Sequence, residues 1–418
     1  MLMKRSLAAM GVVAALIAAL LISACGGSSP AGGDSLKCHG GTMKMANGMV
    51  MCKSAMQGMG STSTGQSSGK SGGNSAKGLI KVSTAPPSGA VPTQMLAMDS
   101  WQGMMIMAQT RTSIPFLVYE DGQWREFKPP KHSSFHLMIM LNDEYTNAPI
   151  SYANVWATIT DSRGKKVFDA EQWPMNSEWM GPHYGNDVAL PGSGTYKLSV
   201  VIGVPSGAYR NGEYRNVWQT SHRVTASFKW DAATSKATML GTGMGSMAAL
   251  TSMKLTINHG VNQVNGVTKR PAKALATAYW QGMRIDTLAG APEGYYEPQQ
   301  SSSSPADYAI NALPTPAGAN VNFMVLLNDR HTDSILPYSG VHAVIRDAAG
   351  KVVYQGQLRS TLSAFYGVYY GDDLKLPAAG HYTATLTIDP PVQGRHVEYA
   401  HVWLQPHTFT EAFNWSGS

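Results

Sequence analysis

An apolar stretch, Leu7–Ile22, follows Lys4 and Arg5, after which large aliphatic residues become sparse until residue 95. From there hydrophobic positions arrive in short runs: Phe135–Leu141, Tyr152–Ile159, Tyr196–Ile202 and Val224–Trp230. Each run is continuous or alternates with polar residues. Turn formers such as Asp161-Ser162-Arg163-Gly164 and Pro191-Gly192-Ser193-Gly194 separate them. Short apolar or alternating runs bounded by Gly, Pro, Asn and Asp predict strands, and no long helical period competes with them outside the leader.

The pattern occurs twice. Trp101-Gln102-Gly103-Met104 recurs as Trp280-Gln281-Gly282-Met283, and Met140-Leu141-Asn142-Asp143 as Leu326-Leu327-Asn328-Asp329. Tyr184-Gly185-Asn186-Asp187 with Leu190-Pro191 recurs as Tyr370-Gly371-Asp372-Asp373 with Leu376-Pro377. Val217-Trp218, His222 and Phe228-Lys229-Trp230 return as Val402-Trp403, His407 and Phe413-Asn414-Trp415. The copies span 95–230 and 274–415, joined by a polar linker, 231–273. Several short strands in each copy predict an all-β protein of two tandem immunoglobulin-like β-sandwich domains.

The leader is a secretory signal: a basic start, a short apolar core, then small residues. Ile22-Ser23-Ala24-Cys25 resembles a bacterial lipobox, which implies removal of residues 1–24 and lipid attachment at Cys25. The expected product is a periplasmic or cell-surface lipoprotein. Residues 25–94, rich in Gly, Ser and Met, read as a flexible tether. Within it, Asn47-Gly48 predicts a hairpin, flanked by Cys38 and Cys52. In an oxidising compartment these two cysteines are expected to close a disulfide, with a Cu(I) site beside Met43, Met45, Met49, Met51, Met56 and Met59 as the rival reading.

Composition narrows the function. Only 14% of the 418 residues are charged, and the net charge of +6 is scattered, without a basic stripe for nucleic acid. Three cysteines exclude a disulfide framework or a multi-cluster iron–sulfur protein. No Gly-x-Ser-x-Gly falls on a strand–helix turn, and His-Glu-x-x-His and a nucleotide fingerprint are absent from the sequence, so no enzyme is expected. Methionine is the excess residue, 24 in all. Copy one holds Met95, Met98, Met104, Met105, Met107, Met138, Met140, Met175 and Met180, while copy two holds only Met283 and Met324.

Duplication supplies an internal control. Residues kept in both copies, such as the Asn-Asp and Tyr-Gly pairs, read as scaffold; His222 and His407 fall in this class. Residues unique to one copy are candidates for function. His136 aligns with Asn322, Met175 with Thr361 and His183 with Tyr369, while Met138 aligns with Met324. His136, Met138 and Met140 alternate along one strand and share a face. Thioether plus neutral imidazole suits copper best among common metals, although Met140, opposite Leu326, also reads as core.

Pro174-Met175, the loop Gly181-Pro182-His183-Tyr184-Gly185-Asn186 and Gly194-Thr195-Tyr196-Lys197 resemble the bacterial periplasmic iron-transport protein family. That resemblance implies an immunoglobulin-like, copper-binding, usually dimeric protein beside an inner-membrane iron permease. It places the family's ligands on His136, Met175 and His183. Where the family's strand reads His-Leu-Glu, this chain reads His136-Leu137-Met138, which exchanges a carboxylate for a thioether and favours Cu(I) over ferrous iron. The family's remaining histidine matches His396 in copy two, where copy one has only Arg210-Asn211. An intramolecular pseudo-dimer would then build one composite site from His136, Met175, His183 and His396.

The expected function is copper binding, as Cu(I) or Cu(II) with Fe2+ as a second candidate, in support of iron uptake through a membrane permease. Copper storage or resistance, and a non-catalytic interaction lipoprotein, are the alternatives. Because imidazole must be neutral to bind, affinity is expected to fall below about pH 6.5.

Overall fold

The computed structural model describes residues 42–44, 50–52, 94–120, 123–177, 180–210, 213–214, 217–233, 272–300, 308–330 and 332–417. The leader, Cys25, Cys38 and nearly all of the linker lie outside the described residues, as does the Cys52 side chain. Strands β1 (Thr42–Lys44) and β2 (Val50–Cys52) pair antiparallel; Asn47-Gly48, where a hairpin turn is expected, lies outside the described residues.

The first repeat contains β3 (Gln94–Trp101), β4 (Met104–Arg111), β5 (Phe116–Glu120), β6 (Gln123–Phe127), β7 (Phe135–Asp143) and β8 (Val155–Asp161). It continues with β9 (Lys166–Ser177), β10 (Gly181–Val188), β11 (Gly194–Ile202), β12 (Ala208–Arg210) and β13 (His222–Trp230). The second contains β14 (Lys273–Trp280), β15 (Met283–Gly290), β16 (Tyr295–Gln300), β17 (Tyr308–Leu313), β18 (Val321–Asp329) and β19 (Val341–Asp347). It ends with β20 (Val352–Gln357), β21 (Arg359–Ser363), β22 (Gly367–Leu374), β23 (Gly380–Ile388), β24 (Gly394–Arg395) and β25 (His407–Trp415).

Each repeat is a β-sandwich. In the first, β13-β11-β8-β9 forms one layer and β9-β10-β7-β4-β3 the other, with the long β9 shared between them. In the second, the equivalent of β9 is broken at Leu358 into β20 and β21, so the layers separate. Inward residues such as Ile106, Leu137, Ile139, Ile159 and Leu198 form the core with their counterparts Ile285, Phe323, Val325, Ile345 and Ala384.

The repeated motifs are structural fasteners. Gln102 and Gln281 sit at positive φ in the β3–β4 and β14–β15 turns, and their Oε1 atoms accept from the backbone N–H of Trp218 and Trp403 at 2.5 and 2.6 Å. Asn142 and Asn328 donate to the carbonyls of Asn147 and Asp333, both at 3.0 Å, closing equivalent turns. His222 and His407 stack on Trp101 and Trp280 at 5.0 Å between ring centroids. The strand expected from Tyr152 begins only at Val155. Tyr152 has φ 66°, as does Tyr338 nearly (64°), a left-handed conformation that a strand cannot accommodate. The two tyrosines interlock instead: Tyr152 N–H donates to Tyr338 Oη at 2.8 Å, and Tyr338 N–H to Tyr152 Oη at 3.0 Å.

That reciprocity extends to the sheets. Strand β24 of the second repeat inserts between β9 and β5 of the first, pairing Gly394 with Met175 and Arg395 with Leu117. Strand β12 of the first inserts between β21 and β16 of the second, pairing Ala208 with Thr361 and Arg210 with Tyr295. The repeats therefore exchange segments about a pseudo-two-fold relation, and each exchange delivers one repeat's side chains into the other's sheet.

Candidate metal centre

His136 lies on β7, opposite Arg111 of β4 and Asp187 of β10. His183, the third residue of β10, lies opposite Met175 of β9. Residues directly opposite in an antiparallel pair share a face, so Met175, His183, Gly185, Met138, His136 and Asp187 all face away from the main core. His396 follows the exchanged β24, and its backbone N–H donates to Asn176 O at 3.3 Å. One ring nitrogen from each of His136, His183 and His396 lies within 4.8 Å of the others. The three rings are 0–2% exposed, and Met175 is fully buried against Phe116 and Val118.

Hydrogen bonds set the tautomers. His136 Nδ1 meets Asp187 Oδ1 at 2.9 Å, and His183 Nδ1 meets Gly181 O at 3.0 Å. A carboxylate and a carbonyl only accept, so both Nδ1 atoms carry the proton and both Nε2 atoms present lone pairs. His136 Nε2 has no partner among the described residues. His396 Nε2 approaches His183 Nε2 at 3.2 Å, while its buried Nδ1 is unpartnered among the described residues. Burial pushes His183 down to about 3, with His136 adding to the effect. Burial likewise lowers His136, which Asp187 partly offsets, and lowers His396, with Arg111 contributing. All three rings are neutral at neutral pH, the state that ligates metal. Burial also moves proton competition below the 6.5 expected of ordinary histidine.

Glycine makes the space. A Cβ at Gly185 would overlap His136 Nε2 and lie 3.0 Å from its Cε1; a Cβ at Gly394 would lie 3.0 Å from Met175 Cγ. Arg395 anchors the exchanged segment. It lies over the Trp124 ring at 3.9 Å and donates to the carbonyls of Pro391, at 2.7 Å, Trp403, at 3.0 Å, and Val402.

Three convergent imidazole nitrogens beside a thioether, with two buried nitrogens lacking partners, fit a soft or borderline metal ion. Imidazole nitrogen and thioether sulfur suit copper better than ferrous iron, and the nearby Asp187 uses Oδ1 on Nδ1 of His136, the ring nitrogen opposite Nε2. Met138 is 1% exposed on the same face, between Gln109 and Gly185.

The twin position is filled differently. Asn322 donates to Tyr295 and to Asp373 Oδ1, the latter at 2.7 Å. Arg210, delivered by β12, donates through Nε to Glu293 Oε2 at 2.8 Å, and its Nη1 lies 3.5 Å from Glu213. Asn322, Tyr369 and the Arg210 guanidinium with its two carboxylates thus stand where the first repeat has its histidine centre, and among the described residues no imidazole nitrogens converge there.

Asp187 was not singled out by the sequence reading. Its counterpart Asp373 is kept, so it counted as scaffold, yet each aspartate holds the residue aligned with position 136. Arg111 also escaped notice. It is buried opposite His136, with Nη1 3.4 Å from Met180 Sδ.

No curated protein matches the chain. Among solved structures it is similar to FetP of uropathogenic E. coli, at 20% identity over 33% of this chain and 96% of that one, with a TM-score of 0.27. A copper-reconstituted P19 protein from Campylobacter jejuni is similar at 18% identity over 33% of this chain and 96% of that one, with a TM-score of 0.26. The family model of the Fe2+ transport protein matches residues 143–233 and again 328–417. The Fe2+ transport protein family model thus matches the chain twice, once within each sandwich.

Proposed function

We propose that this protein binds one copper ion between its repeats, through His136, His183 and His396 with Met175, as a periplasmic partner of an iron-uptake system. The carrying observation is the convergence of three buried, neutral imidazoles, two from one repeat and one from the other. Met138 lies on the same face as the outer thioether. When bound, copper supplies a redox-active cation. The protein's own residues hold the imidazoles in position, exclude water and keep their nitrogens unprotonated. Buried Arg111, opposite His136, makes a monovalent ion less costly than a divalent one.

The family's description supports a role in iron supply, to which an inner-membrane permease and lipid anchoring at Cys25 belong as parts of the same proposal. The Cys38–Cys52 disulfide and the boundaries 1–24, 25–94, 95–230, 231–273 and 274–415 complete it. Isothermal titration with Cu(I) and with Cu(II) tests the site. One tight equivalent is expected, lost in His183→Ala and weakened in Met175→Ala. An affinity unchanged in both variants would refute it. Deleting residues 38–60 distinguishes storage, because a storage protein would lose most of its copper stoichiometry while this site would keep its one ion.

A further inference from the structure

The three histidines and Met175 are buried, so a metal ion needs a way in. The sheet register supplies one. Met98 of β3 pairs with Met107 of β4, and Met107 pairs with Met140 of β7. The β7–β10 register, which sets Ile139 against Tyr184, carried one residue further sets Met140 beside His183. His183 in turn pairs with Met175. One line across five strands therefore reads Met98, Met107, Met140, His183, Met175, all on the face that bears the histidines. Met98 is half-buried on the edge strand, while Met107 and Met140 are each 2% exposed.

We propose that Met98, Met107 and Met140 form a thioether path along which a soft monovalent cation, Cu(I), passes between the edge of the sheet and the histidine centre. The path rests on the copper site proposed above. Neighbouring strands lie about 4.8 Å apart, so three steps cover about 14 Å from Met98 to His183. Flexible, polarizable thioethers on adjacent strands let each sulfur engage the ion before the previous one releases it. No electron or proton changes hands in such a transfer. Gln109 Nε2 donates to Met140 Sδ at 3.7 Å and orients the last sulfur before the histidine.

The second repeat is the control. Its line, in the same register, is Thr277, Asp286 and Leu326, continuing to Tyr369. Both repeats keep the fasteners of the fold, and Leu326 shows that a hydrocarbon serves for packing at the Met140 position. The sulfurs are present only where the histidines are present.

The test compares the full chain with the triple variant Met98→Leu, Met107→Leu, Met140→Leu, near-isosteric changes that cores tolerate, and with Met107→Leu alone. Transfer of Cu(I) from a coloured bicinchoninate complex is followed by stopped flow. Equilibrium affinity is measured separately, and Ag(I) is titrated into protein carrying [methyl-13C]methionine. Loading is expected to slow at least about tenfold in the triple variant, a barrier increase of about 1.4 kcal/mol, and measurably in the single variant. Affinity should stay within about twofold, since the end ligands are untouched, and Ag(I) should shift the Met98, Met107 and Met140 methyl signals. Equal loading rates in wild type and both variants, or methyl signals that ignore Ag(I), would overturn the path while leaving the histidine centre standing. A wild-type protein that binds no copper at its histidines would remove both.

Discussion

A single added methyl group should distinguish the two halves of the pseudo-dimer. In Gly185→Ala, the new Cβ would overlap His136 Nε2 and lie 3.0 Å from Cε1 and 3.2 Å from Leu137 O. The backbone oxygen is fixed in the sheet, so the imidazole must tilt, and that breaks its alignment with Asp187. Gly371→Ala applies the same perturbation to the twin, with Cβ 2.6 Å from Tyr369 Cε2 and 3.0 Å from Phe323 O. Each substitution overpacks a buried site and should cost about 1–3 kcal/mol in urea denaturation. Only Gly185→Ala should weaken copper, by about 100-fold if the displaced imidazole behaves as a metal site with its support removed. Competition titration against a Cu(I) chelator reads the difference. Equal copper affinities in the two variants would refute the claim that the His136 ring nitrogen faces the metal.

Asp187→Asn keeps the shape of the partner but weakens its hold on His136 Nδ1; copper affinity should fall about tenfold, as measured by the same competition, with little change in secondary structure by circular dichroism. Arg210→Met leaves Glu213 and Glu293 without their shared cation and should cost about 3–5 kcal/mol in urea denaturation, with copper affinity unchanged. Acid titration of the metal-free protein tests burial of the histidines. Their folded values are depressed, so the unfolded chain takes up protons first: stability is fully present above about pH 6.5. It should fall as pH drops toward the folded values, of which that of His183 is about 3. Each histidine that stays neutral in the fold contributes up to about 1.4 kcal/mol per pH unit, read from denaturation midpoints between pH 4 and 8. A pH-independent midpoint over that range would mean that the rings are solvated.

The all-β architecture was legible because Trp-Gln-Gly-Met, Asn-Asp and Tyr-Gly recur as the turns and fasteners of the two sandwiches. Strand boundaries were less so: Tyr152 reads as strand by composition, but its hydroxyl and amide are taken up by Tyr338, and the interlock imposes a left-handed backbone. The exchanged segments could not be read as strands at all. Strand β24 is two residues long and β12 three, so neither carries a hydrophobic period; only the residues they deliver, His396 and Arg210, mark their importance. Asp187 was hidden by the duplication itself. The comparison of copies discards what both retain, and both need an aspartate behind the residue at the centre. Arg111 stands over Gly290 in the copy alignment, a difference between the repeats that was open to reading but that gained its meaning only from its place opposite His136.

Diffraction from copper-loaded crystals, with anomalous data on either side of the copper edge, tests the composite centre most directly. One anomalous peak is predicted among His136, His183 and His396, with the Met175 sulfur in contact and both repeats contributing ligands. A peak bounded by residues of one repeat alone, or copper confined to the methionines of the tether, would contradict it.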